Sequence, residues 1–227
     1  MEFLFDSANL EAIRTYSQCF PITGVTSNPS IIKAEGKIDF YKHFKAIREV
    51  IGFDKTLHIQ VLAETCEEIL KEAELILQHV DDKVFIKIPT TEEGLKAMRA
   101  LKDKGVGVTA TAIYSKIQGF MAIAAGADYI APYFNRMENL DIDPRDVIAA
   151  FAEMIARTGS HTKILAASFK NVAQVNDAFL AGAHTATVQP SLLHDAFSMA
   201  AIKKAVDDFS RDWKDTFGGI SFADLVK

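Results

Sequence analysis

The sequence predicts an α/β protein, a (β/α)8 TIM barrel with one extra C-terminal helix. About eight short apolar, β-rich runs alternate with amphipathic helical stretches along the 227 residues. The runs are mostly continuous in hydrophobicity, as in a parallel sheet whose outer face is covered by helices. No linker, low-complexity tract or composition break divides the chain, so a single domain over residues 1–227 is expected. An open doubly wound sheet is the alternative. The first βα turn lacks a G-x-G-x-x-G, which weakens any dinucleotide-binding version of it.

In chain order, strands are expected near Phe3–Asp6, Ile22–Thr26, Thr56–Leu62, Lys83–Ile88, Gly107–Thr111, Tyr129–Tyr133, Lys163–Ser168 and Thr185–Val188. Helix punctuation falls between them. Asn28 followed by Pro29 suits an N-cap and first helical position after the second strand. Ile69, Ala73, Ile76, Leu77 and Val80 recur at helical spacing after the third. Thr90 with Glu93 reads as a capping box after the fourth. Asp143–Pro144 starts a helix whose apolar stripe is Val147, Phe151, Met154 and Ile155. Gly182 ends the helix that begins at Asn171. A final helical pattern, about residues 199–217, is an appendage whose Trp213 and Phe217 are expected to pack on the barrel or on a neighbouring subunit.

With 49% hydrophobic and 24% charged residues the chain has a globular profile, which excludes disorder. The net charge of −5 and the absence of a Lys/Arg cluster argue against a nucleic-acid partner. They leave room for a phosphorylated metabolite, for which one or two local cations suffice. Cys19 and Cys66 have no metal-ligand spacing and read as reduced thiols. The N-terminus lacks the pattern of a signal peptide, and no apolar stretch reaches membrane-spanning length. A cytoplasmic protein with no membrane association is expected.

In such barrels chemistry sits at the carboxyl ends of the strands. There the sequence places Asp6, Thr26, Ser27, Asn28, Gln60, Lys87, Thr109, Thr111, Tyr133, Asn135, Arg136, Ser168 and Lys170. Lys87 is the sharpest of them, since it interrupts the apolar run Val84-Phe85-Ile86-Lys87-Ile88-Pro89. By strand alternation Phe85 and Lys87 share one face while Val84, Ile86 and Ile88 share the other. The aliphatic set suits the helices, which points Lys87 inward; a lysine snorkelling outward at the strand end is the alternative. Burial disfavours an ammonium ion, and a neutral amine attacks a ketone to form an imine that accepts the electrons of a breaking C–C bond. The six histidines show no zinc-type spacing, and no metal or cofactor is expected. His58 shares strand parity with Gln60 and reads as a structural, interior side chain. Ser168 to Asn171 and Arg136 are candidates for a phosphate site near the seventh strand.

Ordered segments then carry a resemblance. Phe5-Asp-Ser-Ala-Asn9, Gly24-Val-Thr-Ser-Asn-Pro-Ser-Ile-Ile32, Lys87-Ile-Pro-Thr-Thr-Glu-Glu-Gly-Leu95, Thr111-Ala-Ile-Tyr114, Ala131-Pro-Tyr-Phe-Asn-Arg136 and Leu165-Ala-Ala-Ser-Phe-Lys170 span nearly the whole chain. Together they resemble the transaldolase family and, within it, the small fructose-6-phosphate aldolases. The resemblance implies Schiff-base chemistry on Lys87, with Asp6 assisting proton transfer and Asn28 holding the three-carbon unit; Thr26, at the end of the second strand, is a further candidate for substrate binding. It also implies that Thr111 and Gln60 hold the catalytic water and that Arg136 and Ser168 contact phosphate. Gln60 and Tyr133 match the aldolase pair, where transaldolases are implied to carry glutamate and phenylalanine; a tyrosine hydroxyl near the imine favours protonating the enamine. The resemblance further implies a homo-oligomer, a pentamer or decamer. A transaldolase acting on sedoheptulose 7-phosphate or fructose 6-phosphate, and a barrel that binds a sugar phosphate without turnover, are the alternatives to an aldolase. The loop Met137 to Pro144 lacks the glycine pair expected of the best-matched aldolases, and Gln189 to His194 also differs; both bear on aldehyde preference.

Overall fold

A computed structural model describes residues 1–226. It divides into two compact units, Met1–Pro190 and the segment from Ser191 onward. The first unit alternates strands and helices as β1 (Glu2–Asp6), α1 (Leu10–Tyr16), β2 (Ile22–Thr26), α2 (Pro29–Ala34), α3 (Phe40–Ile51), β3 (Thr56–Gln60), α4 (Cys66–His79), β4 (Phe85–Pro89), α5 (Glu92–Asp103), β5 (Val108–Ile113), α6 (Lys116–Ala124), β6 (Tyr129–Pro132), α7 (Phe134–Glu138), α8 (Pro144–Thr158), β7 (Lys163–Ala166), α9 (Val172–Leu180) and β8 (Thr185–Val188). The strands close into a parallel ring in sequence order, with β8 pairing β1. Closure gives every strand two neighbours and leaves no free edge. The barrel expectation therefore holds, and the open sheet falls.

The interior is packed in layers, as judged from side chains that meet across non-adjacent strands. Leu4, Tyr129 and Leu165 form one cluster, with Phe85 packed against it. His58 stacks on the Phe85 ring, centroids 4.9 Å apart, and meets Tyr129 edge-on at 5.0 Å. Its two ring nitrogens lie 2.7 Å from Thr109 Oγ1 and 2.9 Å from Thr56 Oγ1. Thr26 and Thr187 join β2 to β8 through hydroxyls 2.6 Å apart. Phe85 thus faces inward and Ile88 lies beside α5, which is the alternation expected around Lys87.

Several boundaries differ from the sequence expectation. The N-cap of α5 is Thr91, whose hydroxyl accepts from the Gly94 N–H at 3.0 Å; Thr90 is not the cap. Thr90 instead donates its hydroxyl to the Thr111 carbonyl at 2.9 Å, and its N–H reaches the same oxygen. The β4–β5 pairing thereby runs one residue further than the Thr-Thr pair reveals. Glu93 accepts from the Cys66 N–H at 3.0 Å rather than closing a capping box. β3 stops at Gln60 instead of Leu62, and β7 stops at Ala166 because Ser168, at φ 64°, turns the chain away. β6 ends at Pro132 rather than Tyr133, and Tyr133 is the N-cap of the short α7. The caps Asn28, Asp143 and Asn171 all bind backbone N–H groups, and Gly182 follows α9 at φ 108°.

The second unit holds most of α10 (Pro190–Phe197), then α11 (Ala200–Phe217) and a 3-10 turn over Phe222–Leu225. Trp213 packs within that unit: it stacks on Phe217 at 4.3 Å, meets Phe222 at 4.6 Å, and donates its indole N–H to the Ile220 carbonyl at 2.8 Å. Among the described residues no helix is long and apolar enough to cross a membrane. Cys19 and Cys66 are free thiols.

Two outcomes follow from this packing. Gly94 lets α5 approach β4, since a Cβ there would stand 2.1 Å from the Pro89 carbonyl oxygen, which is backbone and cannot swing aside. Overpacking costs about 1–3 kcal/mol and outweighs the roughly 1 kcal/mol that alanine gains over glycine in a helix. Gly94→Ala is expected to lower the unfolding free energy in urea titrations; a more stable variant would show that the close approach is not required. His58 is buried and neutral, pushed down to about 3 first by burial, then by the charges of Lys87 and Arg48. Because the unfolded chain binds a proton there and the folded chain refuses it, stability falls as pH drops from near 6.5 towards 3, by at most about 1.4 kcal/mol per pH unit. His58→Gln is expected to flatten that slope by about one proton. An unchanged slope between pH 7 and 4 would refute the assignment.

Candidate active site

The carboxyl ends of the strands bring most of the expected residues to one mouth. Lys87, central in β4, is 2% exposed. Its contact gives the direction of the side chain: Nζ donates to the Ser27 carbonyl, 3.4 Å away beyond β2. β3 separates the two strands, so the amine reaches across the interior. The partner is a neutral carbonyl rather than a bidentate carboxylate. Ser27 belongs to the turn between β2 and α2, where the Ser27 N–H is itself held by the His58 carbonyl at 3.1 Å. Asn28, next in line, commits its side-chain oxygen to the Ile31 N–H at 3.1 Å, which leaves its NH2 for another acceptor.

Asp6 ends β1. Its Oδ1 accepts from the Thr26 hydroxyl at 2.8 Å. Burial pushes the Asp6 carboxyl above its ordinary range, opposed by the positive charge of Lys87, the Thr26 hydrogen bond and the charge of Arg136. The site thus holds a carboxyl poised to exchange a proton, within the field of a buried amine.

Gln60 ends β3, and its strand position is in register with Lys87. Among the described residues its Oε1 is the buried side-chain atom without a hydrogen-bond partner. A buried acceptor left unmatched by protein costs about 1–3 kcal/mol, so it is a strong call for a donor.

The far wall is aromatic. Thr111 and Tyr133 share a hydrogen bond of 2.9 Å between their hydroxyls. The Arg136 guanidinium lies over the Tyr133 ring, 4.6 Å from its centroid. It also donates to the Tyr114 hydroxyl at 3.2 Å, the first cause of the raised affinity of Arg136 for its proton. Tyr114 meets Tyr133 edge-on at 5.6 Å. Ser168 is set beside this group by backbone, its carbonyl accepting from the Asn135 N–H at 3.0 Å. Lys170 is exposed, and its N–H is taken by the Gln174 carboxamide at 2.7 Å, so that amide is not free to bind an anion. Gln174 also binds Asn135 at 3.1 Å and thereby ties α7 to the start of α9.

Three connected groups result: Asp6 with Thr26, Lys87 with Ser27, and Thr111–Tyr133–Arg136 with Tyr114. Gln60 and Asn28 stand at neighbouring strand ends without a direct side-chain bond to Lys87. The arrangement supplies a buried amine, a carboxyl, a hydroxyl relay and an anchored guanidinium. Among the described residues no three His, Cys, Asp or Glu side chains gather in a metal-binding group.

The sequence reading missed Tyr114 as a site residue, along with the Ser27 carbonyl and Gln174. Simple alternation from Thr109 and Thr111 sends Tyr114 to the opposite face. β5, however, carries one residue more than β6 between the pairs Ala110–Ile130 and Ile113–Pro132, and Ala112 sits at φ 55°. That bulge re-aims the strand end. Only the quoted Thr111-Ala-Ile-Tyr114 segment hinted at the position.

The family model described as transaldolase/fructose-6-phosphate aldolase matches residues 3–220. A probable fructose-6-phosphate aldolase of Streptococcus pneumoniae (strain ATCC 700669 / Spain 23F-1) is 54% identical over 213 residues, covering 94% of this chain and 96% of that protein.

Proposed function

Because this chain belongs to the transaldolase/fructose-6-phosphate aldolase family, we propose that it is a Schiff-base aldolase that splits fructose 6-phosphate into dihydroxyacetone and glyceraldehyde 3-phosphate, and runs the reverse addition. The observation that carries the reading is the amine of Lys87, hidden inside the ring and hydrogen-bonded to a neutral carbonyl.

In this proposal Lys87 Nζ attacks the C2 ketone and water leaves, giving a protonated imine. Asp6, kept reluctant to ionise by burial and charged again as pH rises, takes the proton of the C4 hydroxyl. The C3–C4 bond breaks, its electrons pass into the imine to give an enamine, and glyceraldehyde 3-phosphate departs. The proton taken by Asp6 passes to C3 through a water between Gln60 Oε1 and the Thr111–Tyr133 hydroxyl pair, which restores the carboxylate and the protonated imine, and a second water then hydrolyses the imine to release dihydroxyacetone and the lysine amine. Arg136, with Ser168 beside it, holds the phosphate end; the guanidinium fork suits a bidentate phosphate contact. Tyr133 favours release over transfer, because its hydroxyl can deliver the proton that ends the enamine.

Borohydride added with fructose 6-phosphate and no acceptor is expected to leave one reduced three-carbon adduct, mapping to Lys87. An intact protein without adduct would sink the Schiff-base reading. Without borohydride, free dihydroxyacetone should accumulate; Tyr133→Phe should slow that release by about 10²-fold, with transfer to erythrose 4-phosphate gaining in proportion. Asp6 acts as a carboxylate, so kcat/KM should fall as pH drops through a limb above the ordinary aspartate range. Asp6→Asn should remove the limb and cost about 10²–10⁴-fold. A limb that persists in that variant would assign the base to another group.

A further inference from the structure

We infer that Tyr114 is a specificity-determining residue of the sugar-phosphate end: it positions the Arg136 guanidinium and offers its own phenolic hydrogen to the same phosphate. The inference rests on the proposed aldolase reading and adds to it a residue and a role.

Several features converge on this side chain. First, Arg136 is otherwise a solvent-facing arginine on a five-residue helix, and a long exposed side chain costs rotamer entropy to hold still. Tyr114 accepts one of its N–H groups at 3.2 Å while Tyr133 supplies a ring beneath it, so the cation is fixed from two sides. Second, a phenol that accepts from a guanidinium keeps its own O–H as a donor, and the cation strengthens that donor. Donor and cation side by side form a phosphate site, since phosphate offers several acceptor oxygens. Third, the backbone is deformed to put Tyr114 there. The extra residue in β5 and the left-handed Ala112 cost free energy of order 1–3 kcal/mol, a price that persists where placement matters. Fourth, the bend is clamped: Gln118 accepts from the Tyr114 N–H at 3.0 Å and donates to the Thr90 carbonyl at 3.3 Å, tying it to the strand that bears Lys87.

The test compares addition of dihydroxyacetone to glyceraldehyde 3-phosphate with addition to unphosphorylated glyceraldehyde, using the full-length enzyme. Tyr114→Phe keeps the ring and deletes only the hydroxyl. It is expected to reduce the preference for the phosphorylated aldehyde, as a ratio of kcat/KM, by about tenfold, carried by KM. In an Arg136→Lys background the same change should reduce that preference by less than about threefold, because part of its effect runs through Arg136. Equal losses on both aldehydes, an unchanged preference, or a full tenfold effect in the Arg136→Lys background would overturn the inference while leaving the aldolase reading intact. An Arg136→Lys enzyme that keeps the parent preference, or a parent that adds dihydroxyacetone to neither aldehyde, would refute the underlying reading and this inference with it. Thermal unfolding of each variant separates lost positioning from lost folding.

Discussion

The rest of the structure depends on one constraint: an amine must be sheltered from water in the middle of a closed ring of strands. Eight parallel strands create the enclosure, and only inward side chains can furnish it. Lys87 fills its place with a 2% exposed side chain, anchored to the Ser27 carbonyl. The β2–α2 turn that offers the carbonyl is itself held by the His58 backbone, so the amine's resting position is inherited from strand pairing rather than from a mobile loop.

The interior is graded along the barrel axis. Below Lys87 the filling is aromatic and aliphatic, with His58 forced neutral between two threonine hydroxyls. Around and above it the side chains become hydroxyl-bearing and ionisable: Thr26, Asp6, Thr111, Tyr133. The packed floor thus lies behind the amine, and the hydroxyl and carboxyl groups lie on the side of the mouth. Burial acts on both sides of this boundary but in opposite directions, raising the carboxyl of Asp6 and depressing the imidazole of His58. Each shift disfavours the charged form, which suits a cavity already holding one buried nitrogen.

Much of this was legible in the sequence. The barrel followed from continuous apolar runs at regular spacing, and the inward lysine from strand alternation across Val84 to Ile88. Asn28, Asp143 and Asn171 announced their helices because a capping side chain works locally. What stayed hidden depended on non-local geometry. Thr91 rather than Thr90 caps α5 because pairing with β5 recruits Thr90, and no neighbouring residue encodes that. Tyr114 was assigned to no role because alternation fails where a strand carries an extra residue, and alanine gives no warning of a left-handed backbone. The Ser27 carbonyl left no signal at all, since every residue has one. The packing of Trp213 on its own C-terminal turn required the fold of a segment with no strand pattern to guide it.

The bulge in β5 has an evolutionary corollary. Point substitution rewrites one side chain at a time, but a strand with a surplus residue can be rewritten by losing a single codon. Such a deletion would even out the ladder beside β6 and leave the pairing of Ile113 with Pro132 as it is. The mouth would keep its phenol, and the left-handed turn at Ala112 would be gone. The surplus residue is therefore removable by one short indel that leaves the same ring at the mouth, a change that substitution libraries never sample.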